Sequence, residues 1–182
     1  MQICRICCFL LFIALFGCTQ DNQSEDAGFA KVPLPSSVAA DNVVLEILNN
    51  SGGNAPVLFD LPTIMAFPQT SFTGNDPWDH TAHKFTGVQL FPLLKRIGIQ
   101  NTATRVEVIA ANNYRITIGL EDMQRYNYLL SYSMDNVLLQ GNPDLKKRGS
   151  LMIAINFDKY KNLDTELYKN HLVWQVKTII VR

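Results

Sequence analysis

All four cysteines of the chain, Cys4, Cys7, Cys8 and Cys18, fall within its first eighteen residues, and none follows. Whatever folds beyond Cys18 therefore has no disulfide, no cysteine nucleophile and no thiolate to offer a metal. Such a domain must be held by its own core. The composition provides for one: 47% of the residues are hydrophobic and 10% aromatic, too apolar for a disordered chain. A length of 182 residues fits one domain plus an export segment. Sixteen Lys and Arg balance sixteen Asp and Glu, and Lys146-Lys147-Arg148 is the sole basic triplet. A nucleic-acid binder needs a basic face against the phosphates, so the balance argues against that class.

Met1 to Cys18 reads as an export signal. Arg5 supplies the positive start, and Ile6 to Phe16 is an unbroken apolar run. Its length suits a signal core of roughly 7–15 residues and falls short of the ~20 that span a bilayer. Leu15-Phe16-Gly17-Cys18 resembles the bacterial lipobox, in which Leu and a small residue precede a Cys that receives diacylglycerol. The resemblance implies a signal peptide over 1–17, lipidation of Cys18 and a periplasmic protein held to the membrane by that lipid. An ordinary signal peptide with an incidental Cys is the alternative. Thr19 stands where Asp favours inner-membrane retention, which by the same resemblance points to the outer membrane. Residues 18–40 read as the lipidated Cys and a flexible tether. Thr19 to Leu34, polar and then Pro-punctuated, would extend to roughly 50 Å. Residues 41–182 read as a single domain.

Within it, Asn42–Leu48 and Val57–Phe59 are β-rich, with a turn cluster from Asn49 to Asn54 between them. Asp60 suits a helix N-cap with Pro62 in the first turn. Further strands are expected at Gln69–Phe72, His83–Phe85, Arg105–Ala110, Arg115–Ile118, Tyr128–Met134, Val137–Leu139 and Leu172–Val181. Leu90, Leu93, Leu94 and Ile97 share a helical face that Gly98 closes. Asn112-Asn113 and Asp135-Asn136 are hairpin signals. Leu151–Ile155 is apolar at consecutive positions, the pattern of a strand buried on both faces. A short helix is expected near Leu163–Tyr168. The sum is an α+β, sheet-dominated fold with two or three short helices.

Phe85-Thr86-Gly87-Val88-Gln89-Leu90, with Leu93-Leu94 and Gly98, resembles a segment of the oxidoreductase molybdopterin-binding domain, the sulfite oxidase-type fold. The resemblance continues through Val106–Ala110, Asn112-Asn113-Tyr114, Arg148-Gly149-Ser150-Leu151 and Val173-Trp174-Gln175. It covers roughly Val43 to Arg182. Members that transfer oxygen atoms hold molybdenum through a cysteine sulfur, which this domain lacks, and oxygen or imidazole replaces that soft ligand poorly. Size, export and the missing cysteine resemble the small periplasmic pterin-binding regulators. These act on the periplasmic domain of membrane-bound enzymes that make or degrade cyclic-di-GMP. The resemblance implies a non-catalytic protein with a reduced pterin as ligand and no molybdenum. The alternatives are a molybdopterin-dependent oxidoreductase with a non-cysteine metal site, and a structural envelope lipoprotein.

A pterin site needs a stacking surface, donors and acceptors along the ring edge, and apolar walls. Thr70 to Phe85, read as a Gly/Pro-punctuated loop, holds Phe72, Trp78, Asp79, His80, His83 and Phe85. Trp78 is the stacking candidate and His83 a hydrogen-bonding imidazole; each has a plain structural alternative. His80 and His83 invite a metal, but no third ligand is evident. Asn112 offers donor and acceptor together, and Tyr114 a wall or a hydroxyl cap, although Asn also forms turns for its own sake. Arg148 suits a carbonyl or phosphate, which the resemblance associates with the cofactor's anionic side; a solvated basic turn competes. Trp174, alternating with Val176, Thr178 and Ile180, reads as core. No serine has a nucleophile-elbow context, and Glu121-Asp122 reads as a helix start.

Overall fold

The structure is a computed structural model that describes residues 27–52 and 55–182. The expected signal peptide, the Cys18 lipidation site and the start of the tether lie outside the described residues, as do Gly53 and Asn54. Among the described residues ten strands form two sheets. The first has the order β2-β1-β10-β5-β6, from β1 (Leu45–Asn49), β2 (Val57–Phe59), β5 (Arg105–Ala110), β6 (Arg115–Gly119) and β10 (Val176–Val181). Its β1–β10 pairing is parallel and the others are antiparallel. The second runs β3-β4-β7-β8, from β3 (Gln69–Asp76), β4 (Thr81–Gln89), β7 (Leu129–Met134) and β8 (Val137–Leu138), with β9 (Met152–Ala154) also on β7. Helices Leu61–Ala66, Leu90–Arg96, Leu120–Arg125 and Thr165–Tyr168 are all short. No helix among the described residues is long and apolar enough to cross a membrane.

Local chemistry accounts for most boundaries. The Asp60 carboxylate accepts the Thr63 N–H at 2.9 Å and caps the helix that Pro62 opens. Gly98, at φ 82°, takes the left-handed conformation that ends the helix Leu90–Arg96. Asp135 and Asn136 both have positive φ, as a two-residue hairpin between β7 and β8 requires.

Within the second sheet β7 and β9 are buried at every position, on both faces, and β9 (Met152–Ala154) accordingly reads as a continuous apolar run. Ile153 faces the main core with Val88, Leu130 and residues of the first sheet, while Met152 and Ala154 face a smaller cluster with Phe85, Leu129 and Met134. Between Thr86 and Gly87 the β4–β7 register skips Tyr132, an extra residue on β7. Opposite it the backbones approach so closely that a Cβ on Gly87 would lie 2.1 Å from the Leu130 carbonyl oxygen. The glycine of the Phe85–Leu90 segment is thus required by packing.

Three expectations need correction. Thr70–Phe85 is not a loop: β3 and β4 pair from Gln69↔Val88 to Asp76↔Thr81, leaving only residues 77–80 outside the ladder. Pro77 marks that tip, whereas Gly74 sits inside a strand beside Asn156 and Asp158. The last strand begins at Val176, not Leu172, because Gln175 adopts φ 57° and kinks the chain. The tether does not extend to residue 40 as a free segment. Phe29 is buried and stacks on Phe67 at 5.5 Å, and the Val32 carbonyl accepts two N–H groups from Arg96.

Candidate functional site

Arg148 organises the site. A turn at Lys146–Arg148 is stopped by Gly149, whose φ of 74° and near contact with Gln175 admit no side chain: a Cβ there would lie 2.7 Å from the Gln175 Cα. The Gln175 N–H donates to the Arg148 carbonyl at 2.8 Å, so Arg148 is locked beside Trp174. Its guanidinium carbon lies 4.3 Å from the centre of the Trp174 ring. Nη1 donates to Asp76 Oδ2 and Nη2 to Asp79 Oδ2, the latter at 3.0 Å. These two acids flank Trp78, whose backbone N–H donates to Asp76 Oδ1 at 2.9 Å. One buried cation therefore holds both indoles, Trp174 by stacking and Trp78 through its neighbours. The two rings meet edge-on, with centroids 6.2 Å apart and planes at 70°.

The opposite side comes from the β5–β6 turn. Asn113 has φ 68°, and Asn112 Oδ1 accepts the Tyr114 N–H at 3.0 Å. Tyr114 donates its hydroxyl to the Asn170 carbonyl at 3.1 Å. Trp78, Asn112, Tyr114, Asn170, Leu172 and Trp174 thus line an open cleft of about 250 Å³, room for about eight waters at ~30 Å³ each. Trp78 and Tyr114 are exposed at its mouth. The charges around the cleft are paired: Arg148 with Asp76 and Asp79, Lys169 with Glu166. Its remaining polar side chains are neutral amides, indoles and the Tyr114 phenol. The Trp174 Nε1–H is buried without an acceptor among the described residues and is closed off from the cleft.

Sequence reasoning named five ligand-binding candidates. The structure brings Trp78, Asn112 and Tyr114 to one cleft. Arg148 lies behind it, only 7% exposed, with its donors spent on two carboxylates rather than open to an anion. His83 does not reach a ligand edge. Its Nδ1 is 2.6 Å from Asp135 and its Nε2 3.0 Å from Asp79, so both ring nitrogens are engaged. Burial would lower its pKa, but the two carboxylates outweigh burial and the net direction is upward. Trp174 belongs both to the smaller core cluster and to the cleft wall. Asp76, Asp135 and Asn170 were missed.

A flat heteroaromatic fits this chemistry: indoles to stack on or abut, and amides for its edge. Molybdenum does not. The domain has no thiolate, the acids nearest the cleft are tied to Arg148, and no group of three or more His, Cys, Asp or Glu is disposed to hold a metal among the described residues. Four larger depressions among the described residues, of about 460, 380, 350 and 880 Å³, have no indole in their walls.

The two sheets and their short helices make an α+β, sheet-dominated domain. No protein-family model and no curated protein sequence matches the chain. Among solved structures it is similar to the sulfane dehydrogenase SoxCD from Paracoccus pantotrophus, with a TM-score of 0.57 and 15% identity over 80% of this chain. It spans 39% of that chain. At that identity the likeness carries the fold alone.

Proposed function

We propose that the domain binds a reduced pterin in the Trp78–Trp174 cleft and catalyses no reaction on it. The observation that carries this reading is the cleft itself: two indoles fixed by one buried arginine, bordered by neutral hydrogen-bonding groups. A stacked bicyclic ring with an amide-like edge matches those walls. The lack of any cysteine thiolate after Cys18 supports binding over oxygen-atom transfer.

The resemblance to small periplasmic regulators extends the proposal. Anchored through Cys18 to the outer membrane, the protein presents its ligand state to the periplasmic domain of a membrane-bound cyclic-di-GMP signalling enzyme. With β3 and β4 paired along their length, the element free to respond is the four-residue tip carrying Trp78, not a long loop. A ligand that binds one tip position better than another shifts the population presented to the partner.

Purification from membranes of the producing cells, followed by chromatography of the denatured extract with fluorescence detection, tests the reading. A stoichiometric pterin supports it. Neither co-purified pterin nor binding at micromolar concentration refutes it, and stoichiometric molybdenum favours the oxidoreductase alternative. Unchanged partner binding on Trp78→Ala with Asn112→Ala favours a structural envelope role.

A further inference from the structure

His83 stands on β4 between two carboxylates that belong to different turns. A neutral imidazole has one N–H and one lone pair, so it satisfies one carboxylate and sets its lone pair against the other. Only the imidazolium donates to both Asp135 and Asp79. The two acids are not equally fixed. Asp135 exchanges backbone and side-chain bonds with Lys84: its N–H donates to the Lys84 carbonyl and its Oδ1 accepts the Lys84 N–H, each at 2.8 Å. Asp79 is 40% exposed at the hairpin tip and bonded to the rest of the fold through Arg148 and His83.

We propose that His83 is a proton-operated positioning residue: as the imidazolium it ties the hairpin tip to the β7–β8 turn and steadies Trp78 at the cleft, and on losing its proton it loosens the tip, which Arg148 still holds through Asp76 and Asp79. The consequence for binding rests on the pterin reading, but the latch itself operates without ligand. The charged groups around the imidazole are Asp79 at the tip, Asp135 in the β7–β8 turn, Lys84 beside it on β4, and, through Asp79, Arg148 and Asp76. The Lys84 ammonium is directed to Asn136 Oδ1 at 3.0 Å. Deprotonation therefore leaves three carboxylates with Arg148 as the cation bonded to any of them. The direction of His83's pKa agrees, as does that of Asp135, for which burial is outweighed by the Lys84 N–H and His83 and the net shift is downward. With a raised folded pKa, the tie is complete below the ordinary histidine range and is lost as pH rises through the raised value.

The test uses the ligand-free domain. Imidazole NMR gives the His83 titration, and hydrogen exchange, corrected for intrinsic rates, follows the Trp78 and His80 amides from about pH 6 to about pH 9. The expected result is titration above the ordinary value of ~6.5 and several-fold loss of protection across it. His83→Gln should show the high-pH protection at every pH. Titration at or below ~6.5, or equal and pH-independent protection in both proteins, overturns the proposal. A second arm titrates 7,8-dihydrobiopterin at both pH extremes. Weaker binding at high pH joins latch to cleft; a pH-dependent tip with no binding at either pH keeps the latch and refutes the pterin reading.

Discussion

The two sides of the cleft are held by different forces. Trp78 is exposed, and its tip is secured by charge, through Asp76, Asp79, Arg148 and His83. The segment from Asn170 to Val173 is secured by packing, with Leu172 and Val173 buried. His171 sits among aromatic rings, 5.0 Å from Tyr168 and 5.9 Å from Tyr128 between centroids, with Tyr126 and Tyr160 beyond. The Tyr128 hydroxyl and His171 Nδ1 are 2.6 Å apart. Burial lowers the His171 pKa, with Asp122 opposing it, and raises that of the Tyr128 phenol. Two histidines near one cleft thus lean in opposite directions, one sharing carboxylates and one desolvated. A charge-held wall responds to protons and ligands near neutrality; a packing-held wall is a fixed reference against which the other moves.

Removing the cation breaks this contrast most severely. Arg148→Ala leaves Asp76 buried and unpaired, and should cost about 3–5 kcal/mol in urea unfolding. Asp76→Asn with Arg148→Met should recover most of that stability while leaving Trp78 unanchored, visible as lost protection at the tip. A cost for Arg148→Ala no larger than that of a surface pair would mean that charge does not hold this wall. On the packed side, Tyr128→Phe removes the hydroxyl paired with the half-buried His171 and should cost about 0.5–1.5 kcal/mol, without changing exchange at the Trp78 amide.

The pH dependence sharpens the comparison further. For His171, with a depressed folded pKa, stability is full above the ordinary histidine value and falls as pH drops through the lowered one; for His83 the loss comes on the alkaline side. Imidazole titrations should therefore fall on opposite sides of ~6.5, with unfolding midpoints declining at both ends. The smallest effect is expected at the exposed Arg125–Glu121 pair, where Glu121→Gln should leave the unfolding midpoint unchanged.

Much of the fold was legible because its signals are local. The Asp60 cap, the Gly98 stop, the Asn113 and Asp135-Asn136 turns and the doubly buried β9 each follow from a few adjacent residues. The kink at Gln175 was not, since it depends on Gly149 lying against it, and neither was the docking of Phe29 on Phe67. The site divided in the same way. Trp78, Asn112 and Tyr114 stand at turns that the sequence marks. The roles of Arg148 and His83 depend on partners distant in the chain, Asp76 and Asp79 for one and Asp135 for the other. The Asp76-Pro77-Trp78-Asp79 order, two acids around an aromatic at a hairpin tip, was the one local hint.

Calorimetric titration of 7,8-dihydrobiopterin into the wild-type domain and into Trp78→Ala bears most directly on the cleft as a pterin site. Trp78 is 45% exposed, so its truncation spares the core. One saturable site at micromolar or tighter affinity, weakened at least tenfold by the substitution, is the predicted result. Equal heats in the two proteins, or none in either, would contradict it.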